Sequence, residues 1–364
     1  MRATLDVSAP GYWGVELVEY PGDEFGYGEG PYGGGGYGGY FTVSSWIPDL
    51  TTLDALDPRD DLRIRIDVEF SDGATTVERS FNLGLRERNI DYEREVIVLT
   101  LASDEALLSD YAPLADDTAP LSLGTSLRDV VDYVLDSAIP GAALESSPSW
   151  DEDLTGDADA EAFTWKGGQS GLDFLAPLVQ VAGFRLVCNE SQEWTLRNED
   201  YEEAGAVSIR HAVNMITADE TISRDSGIWY DAAATVWEWT DSLGVQQRMV
   251  DAYALTTPYT RLQLFERSTP YPGPGFSQYA VRRAQQRGRE MMAVSVSDWN
   301  AHAEQSVTIY LNETLTQVGK IQSVSFSLDN DEMTVTARTQ DTPEGAIDLM
   351  TGIINDLVGT INDQ

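Results

Sequence analysis

Nucleophilic catalysis needs a base beside its nucleophile, and two histidines, His211 and His302, are available for that work. Both fall in predicted loops or strand edges, with no serine or cysteine motif close to either. There is no G-x-S-x-G elbow, Walker A loop, H-E-x-x-H pair or dinucleotide fingerprint behind a strand. Carboxylate pairs of the kind that cleave glycosides carry no weight here, because 61 acidic residues always supply pairs. Cys188 is the single cysteine. Alone it makes no disulfide framework and no cysteine zinc site, and its apolar surroundings predict a buried, inert thiol. These residue types point away from an enzyme, and no cofactor or metal is expected.

Three other patterns suit binding. Asp151, Asp153, Thr155, Gly156, Asp157 and Asp159 stand at the first, third, fifth, sixth, seventh and ninth positions of a calcium loop. The twelfth position, which needs a bidentate Glu, is Ala162, and Pro148 lies just upstream where a flanking helix belongs. A solvated acidic loop is expected there. Arg282, Arg283, Arg287 and Arg289 lie on a predicted helix over residues 280–292, the one basic patch of the chain. Such a row suits passing DNA or an acidic neighbour, and the charge elsewhere favours the protein partner. Behind Pro343, a residue suited to a first helical position, Ile347, Met350, Ile354, Leu357 and Ile361 recur at alternating spacings of three and four. That is a heptad seam with isoleucine at each a position, predicting an amphipathic helix over residues 342–364. Ile353 and Val358 widen its apolar stripe, which suits three helices better than two, although a globular core would use the same stripe.

The elements that carry these residues sit in a chain of formal net charge −38, with 61 acidic and 23 basic residues. That field repels nucleic acid and anionic membranes, so sequence-specific DNA reading is not expected. Residues 1–20 lack a basic start and an apolar core, and no apolar run approaches membrane-spanning length, so neither a signal peptide nor a membrane anchor is expected.

Strand signals dominate. Leu62, Ile64, Ile66, Val68 and Phe70 alternate with Arg63, Arg65, Asp67 and Glu69, giving one buried and one wet face. Asp72 and Gly73 turn the chain, and Val77, Phe81, Leu83 and Leu85 return it. Residues 21–40, rich in Gly and Tyr, read as a long mobile loop. Further strands are expected at 96–101, 233–239, 245–251, 261–265, 305–311, 321–328 and 333–337. Between them Ser126 opens a helix with Leu127, Val130, Val131 and Val134 on one face. A second helix, opened by Ser170, has apolar stripes on two sides, which predicts a sandwiched position. Pro177 in its middle predicts a kink or a later start. Gly183 stops this helix, and two short strands follow at 184–187 and 194–196.

The module at residues 165–197, a helix followed by A-G-F-x-L and a W-x-L strand, resembles the inserted module of phage tail-hub proteins. These are the minor tail proteins of long-tailed, siphovirus-type phages. Residues 103–113 (SDEALLSDYAP), 222–244 (ISRDSGIWYDAAATVWEWTDSLG) and 268–290 (STPYPGPGFSQYAVRRAQQRGRE) resemble minor tail proteins of phages that infect actinobacteria. The likeness spans most of residues 60–340 as many weak motifs. The Gly-Tyr stretch and the acidic excess depart from it and would also suit a virus of salt-loving archaea.

The expected fold is mainly β with an α/β insertion. A first β-barrel domain takes residues 1–120, the inserted helix-plus-strands module 121–205, a second β-barrel 206–341 and the C-terminal helix 342–364. The resemblance implies that both barrels are tail-tube-like. It also implies a structural protein of the virion at the distal end of the tail, a homotrimeric tail-tip (baseplate) hub. Three chains would then present six barrels, matching the six-fold tail tube or distal tail ring to a three-fold fibre or spike. The implied partners are the tail tube or distal tail protein, the tape measure protein and that central fibre or spike. The alternatives are a hexameric distal tail protein, or a tail-associated carbohydrate-binding or cell-wall-hydrolysing protein. Trp165, Trp194 and Trp237 sit at strand positions or edges, where core packing is favoured over sugar stacking.

Overall fold

The computed structural model describes residues 2–5, 14–19, 39–46, 53–54, 56–60, 62–71, 76–123, 126–145, 157–222, 229–285, 289–311, 314–327 and 331–339. Most of the Gly-Tyr stretch, the acidic positions Asp151 to Gly156, Arg287 and the whole heptad segment (Ile347, Met350, Ile354, Leu357 and Ile361) lie outside them.

The first run of strands is β1 (Arg2–Leu5), β2 (Gly14–Glu19), β3 (Gly39–Trp46), β4 (Arg63–Ser71), β5 (Thr76–Asp91) and β6 (Val96–Ala102). Then come α1 (Glu105–Asp110), α2 (Ala119–Leu123), α3 (Leu127–Ala138), α4 (Gly171–Val181), β7 (Arg185–Cys188) and β8 (Trp194–Arg197). Strands resume as β9 (Glu203–Arg210), β10 (Met215–Ile222), β11 (Ala232–Thr240), β12 (Gln246–Ala254) and β13 (Leu262–Arg267). The last elements are α5 (Phe276–Gln285), β14 (Arg289–Val296), β15 (Gln305–Leu311), β16 (Thr314–Ser327) and β17 (Glu332–Thr339).

The fold is mainly β with an α/β insertion, and its main sheet curls as a half-barrel. Among the described residues that sheet has twelve strands, six from each end of the chain, and the two sets follow one topology. The first runs β1-β4-β5-β6-β3-β2 and the second β9-β15-β16-β17-β14-β10. Numbered within each set, both read 1-4-5-6-3-2. In both, the first and fourth strands are parallel and the other neighbours antiparallel. Even a bulge is repeated. The β5–β6 ladder skips between Leu85 and Glu87, and the β16–β17 ladder skips between Ile321 and Ser323. The two sets join where β16 pairs with β2.

Alternation explains why these segments pair as they do. On β4, Ile64 and Ile66 are buried while Arg65 and Asp67 are exposed, and a strand with one apolar face holds its register because a one-residue slip would expose that face. The apolar faces of both sets meet in one core. Ile66, Phe81, Leu83 and Leu101 of the first set share it with Val307, Ile309, Phe326 and Val335 of the second. Trp299 stacks on Phe326 within it, ring centroids 4.6 Å apart.

The insertion forms a second core around α3, α4, β7 and β8. Ser126 and Ser170 cap their helices by accepting from the amides of Asp129 and Asp173 at 3.2 and 3.0 Å. The expected sandwich for α4 is borne out, since it buries both apolar stripes. It starts at Gly171 with Pro177 inside it, so the later start does not hold. Gly171 lets the helices approach closely: an added Cβ would lie 2.6 Å from the end of the Leu108 side chain of α1, which would have to shift, and 3.2 Å from Val134 of α3.

Between β10 and β14 the chain makes a separate three-stranded sheet, β12-β11-β13, backed by α5. Trp237, Trp239, Tyr271 and Phe276 fill that contact together with Val181 of α4. The helix expected over 280–292 is corrected here, because α5 ends at Gln285 and β14 already starts at Arg289. Pairing of β14 with β17 and β10 claims those residues for the sheet.

Candidate functional site

Three parts of the fold meet at a buried cluster of charge. Arg185 comes from β7 of the insertion, Arg338 from β17, and Glu304 from the turn entering β15. All three are buried. Arg185 Nη1 and Arg338 Nη2 both donate to Glu304 Oε1, at 2.8 and 2.9 Å. Burial alone would raise the Glu304 carboxyl, but the charges of Arg185, Arg338 and Arg283 outweigh it and hold the group far below the usual carboxylate range. Glu304 has a left-handed backbone (φ 72°), a conformation uncommon outside glycine that persists where the surroundings impose it. Here the Glu304 amide donates to Ile321 and its carbonyl accepts from Glu203.

A second tie runs from β5. Arg79 is buried, donates to the Ala301 carbonyl at 3.1 Å and to Glu190 Oε1 at 3.0 Å, and lies 3.0 Å from His302 Nδ1. Its guanidinium also covers the rings of Phe81 and Phe326. One side chain thereby links the first strand set, the turn between β7 and β8, and the loop before β15. A third tie is Arg63 to Asp104 at 2.6 Å. Glu105 beside it accepts from Ser103 Oγ at 2.5 Å and from the Cys188 amide at 2.8 Å, and burial pushes its carboxyl up to about 8.

The sequence-predicted residues fall in different places. Arg282 is exposed on α5 and pairs with Glu199. Arg283 is buried, and its charge helps to hold the Glu304 carboxyl low. Arg289 begins β14 and Arg287 lies outside the described residues, so one helical row of four does not form. Of the acidic loop, Asp159 caps the short helix Ala160–Phe163 by accepting from Glu161 N at 2.8 Å. Cys188 is buried and burial raises its thiol. Trp165, Trp194 and Trp237 are each 1% exposed, which bears out core packing for these three. His211 is exposed, and its amide donates to Tyr310.

Sequence reasoning missed Arg79, Arg185, Glu304 and Arg338. The signal for Arg185 was present, an arginine set in the apolar run of residues 184–188. Glu304, in a polar stretch before a strand, gave none.

No family model and no curated protein matches the chain. Solved structures do. The 43 kDa tail protein of prophage MuSo2 from Shewanella oneidensis superposes with a TM-score of 0.54 at 12% identity, covering 91% of this chain and 95% of that one. A tail protein from Neisseria meningitidis MC58 gives 0.50 at 11% identity, covering 90% and 92%. The chain has the fold of these tail proteins. At such identities the likeness is one of fold, and it extends over nearly the whole of each tail protein.

Proposed function

We propose that the chain is a structural, non-enzymatic tail protein of a virion, and within the tail a homotrimeric tip (baseplate) hub. The observation that carries this reading is the internal repeat, two six-stranded sets of one topology with the same bulge. Three such chains offer six nearly equivalent units around a three-fold axis. That is what a part standing between a six-fold tube or distal tail ring and a three-fold fibre or spike needs. The heptad residues Ile347, Met350, Ile354, Leu357 and Ile361 are the proposed axial contact of the three copies. Arg282 is the proposed residue of the basic group for an acidic neighbour.

A hexameric distal tail protein is the weaker reading, since six copies of a duplicated chain would give twelve units. The carbohydrate-binding reading loses support because Trp165, Trp194 and Trp237 are spent on cores. Mass measurement of the purified protein, by light scattering or native mass spectrometry, tests the hub. Three copies are expected. A hexamer favours the distal ring, and a monomer at all concentrations counts against both.

A further inference from the structure

β2 and β10 hold the same place in the two strand sets, yet their edges are used differently. β2 pairs with β3 on one edge and with the end of β16 on the other, where Glu16, Leu17, Val18 and Glu19 face Ser327, Phe326, Ser325 and Val324. β10 pairs with β14 on the matching edge, and among the described residues no strand pairs along its other edge. The last part of β5 is in the corresponding state. From Glu87 to Asp91 it pairs with β6, and among the described residues no strand takes its second edge. The chain thus holds one completed seam and both halves of another. Six strands lie between β5 and β10 along the sheet, and among the described residues the two are not paired with each other, so the second seam is open within one chain.

The repeated bulge fixes how the first seam maps onto the second. Aligned through their partner strands, Val324, Ser325, Phe326 and Ser327 correspond to Arg88, Asn89, Ile90 and Asp91. Likewise Glu19, Val18, Leu17 and Glu16 correspond to Ile222, Thr221, Glu220 and Asp219. We propose that β10 of one copy adds antiparallel to β5 of the next copy, along the edge that no described strand takes, setting Asn89 opposite Thr221 and Ile90 opposite Glu220. Arg88 and Asp91 then face Ile222 and Asp219. The partner is a second copy of this chain, and the contact is head-to-tail. It rests on the hub reading only for the number of copies that close the ring.

The residues suit such a seam. Asp219, Glu220 and Thr221 are exposed in succession, on both faces of β10, as in a strand with an uncovered edge. Arg88, whose guanidinium donates to the Leu53 and Leu56 carbonyls within its own chain, comes to the same face as Glu220, a diagonal neighbour of opposite charge. Asp91 and Asp219 are like charges set opposite, which is unfavourable. The Asp91 carboxylate, however, is turned into its own turn, where it accepts from the amides of Glu93 and Arg94 at 3.0 Å each. Copies that each carry a net charge of −38 repel at long range, so the seam is strengthened by salt.

The test uses the full chain at high salt with one new cysteine per preparation, Asn89→Cys or Thr221→Cys. Both positions are exposed, and the native Cys188 is buried. Residues set opposite in an antiparallel pair have Cα atoms ~4.5–5.5 Å apart, within the span of a disulfide. Under mild oxidation the mixed variants should form a linked pair on a non-reducing gel, and neither should link to itself. Asn89→Cys mixed with Glu220→Cys, one residue out of register, should link at least ~10-fold more slowly, because the side chains point to opposite faces. Linking in the stated register supports the seam whatever the copy number; a chain carrying both Asn89→Cys and Thr221→Cys that links into a closed ring other than a trimer would at the same time count against the hub. A trimer by mass that fails to link, or links equally well out of register, overturns the seam and leaves the hub standing. A monomer that does not link overturns both.

Discussion

β4 to β6 and β15 to β17 are the same three-stranded unit made twice from different residues, and the two differ most at one matched position. In the first set Gly84 lies opposite Ala102; in the second the equivalent pair is Lys320 and Arg338. A Cβ added at Gly84 would meet only the Ala102 carbonyl, at ordinary contact distance. Arg338 is buried on Glu304, and Lys320 donates to the Tyr201 carbonyl at 2.7 Å. The strand pattern that builds the sheet is common to both sets, whereas the buried charge appears where the insertion, through Arg185, reaches the second set. Apolar alternation explains the shared sheet, and paired charge at one place explains how the insertion is seated.

The most severe test of that contrast is Glu304→Gln. It removes the charge that Arg185 and Arg338 share while keeping the side chain's shape. Leaving buried guanidiniums uncompensated costs about 3–5 kcal/mol, read as a lower urea midpoint with an unchanged slope. At the matched place in the first set, Gly84→Ala has room for its Cβ 3.7 Å from the Ala102 carbonyl and should stay within ~1 kcal/mol of the parent. Equal losses from the two changes would mean that the junction does no more than any packed position.

Much of the sheet was legible because period-two alternation is a local property. The strand of residues 62–70 and its return through Phe81 and Leu85 needed nothing beyond neighbours along the chain. The capped helix at Ser170 was legible for the same reason. What could not be read was pairing between distant segments. Nothing local in residues 14–19 says that they lie beside 324–327, and nothing near Glu304 announces the two arginines. The helix expected over 280–292 failed from the same cause. A run of arginine, alanine and glutamine has helical propensity, but the ladder with β17 takes residues 289–296. Tertiary pairing overrode local preference.

The two buried acids of the junctions should respond to pH in opposite directions. Glu304 is held low, so its contribution is complete above the ordinary carboxylate range and is lost as pH falls through it. Glu105 is held high, up to about 8, by burial. Folding therefore favours its protonated form, and that contribution is full below its unfolded value near ~4.3 and declines as pH rises toward 8. The slope is about 1.4 kcal/mol per pH unit in that window, so roughly 2 kcal/mol should go between pH 6 and pH 8. Glu105→Gln, a neutral group of the same shape that can still accept from the Cys188 amide, should flatten that part of the stability profile. An unaltered slope in the variant would assign the pH dependence to other groups.

The smallest effect asks whether the two strand sets are equal in packing as well as in topology. Ile66 and Ile309 hold matched positions, three residues on from Arg63 and Ser306, which face the matched Gly84 and Lys320. Each has a parallel neighbour of the same kind, Leu5 on β1 and Ile209 on β9. Both are 0% exposed and belong to one core. Ile→Val removes one methylene at either place and should cost about 0.5–1.5 kcal/mol. Shared geometry predicts that Ile66→Val and Ile309→Val agree within ~0.5 kcal/mol in urea melts, the spread expected when sites relax alike. A gap above ~1 kcal/mol would mean that one set closes around the lost methylene and the other does not. The sets would then share a strand order without sharing the packing that makes them interchangeable around a ring.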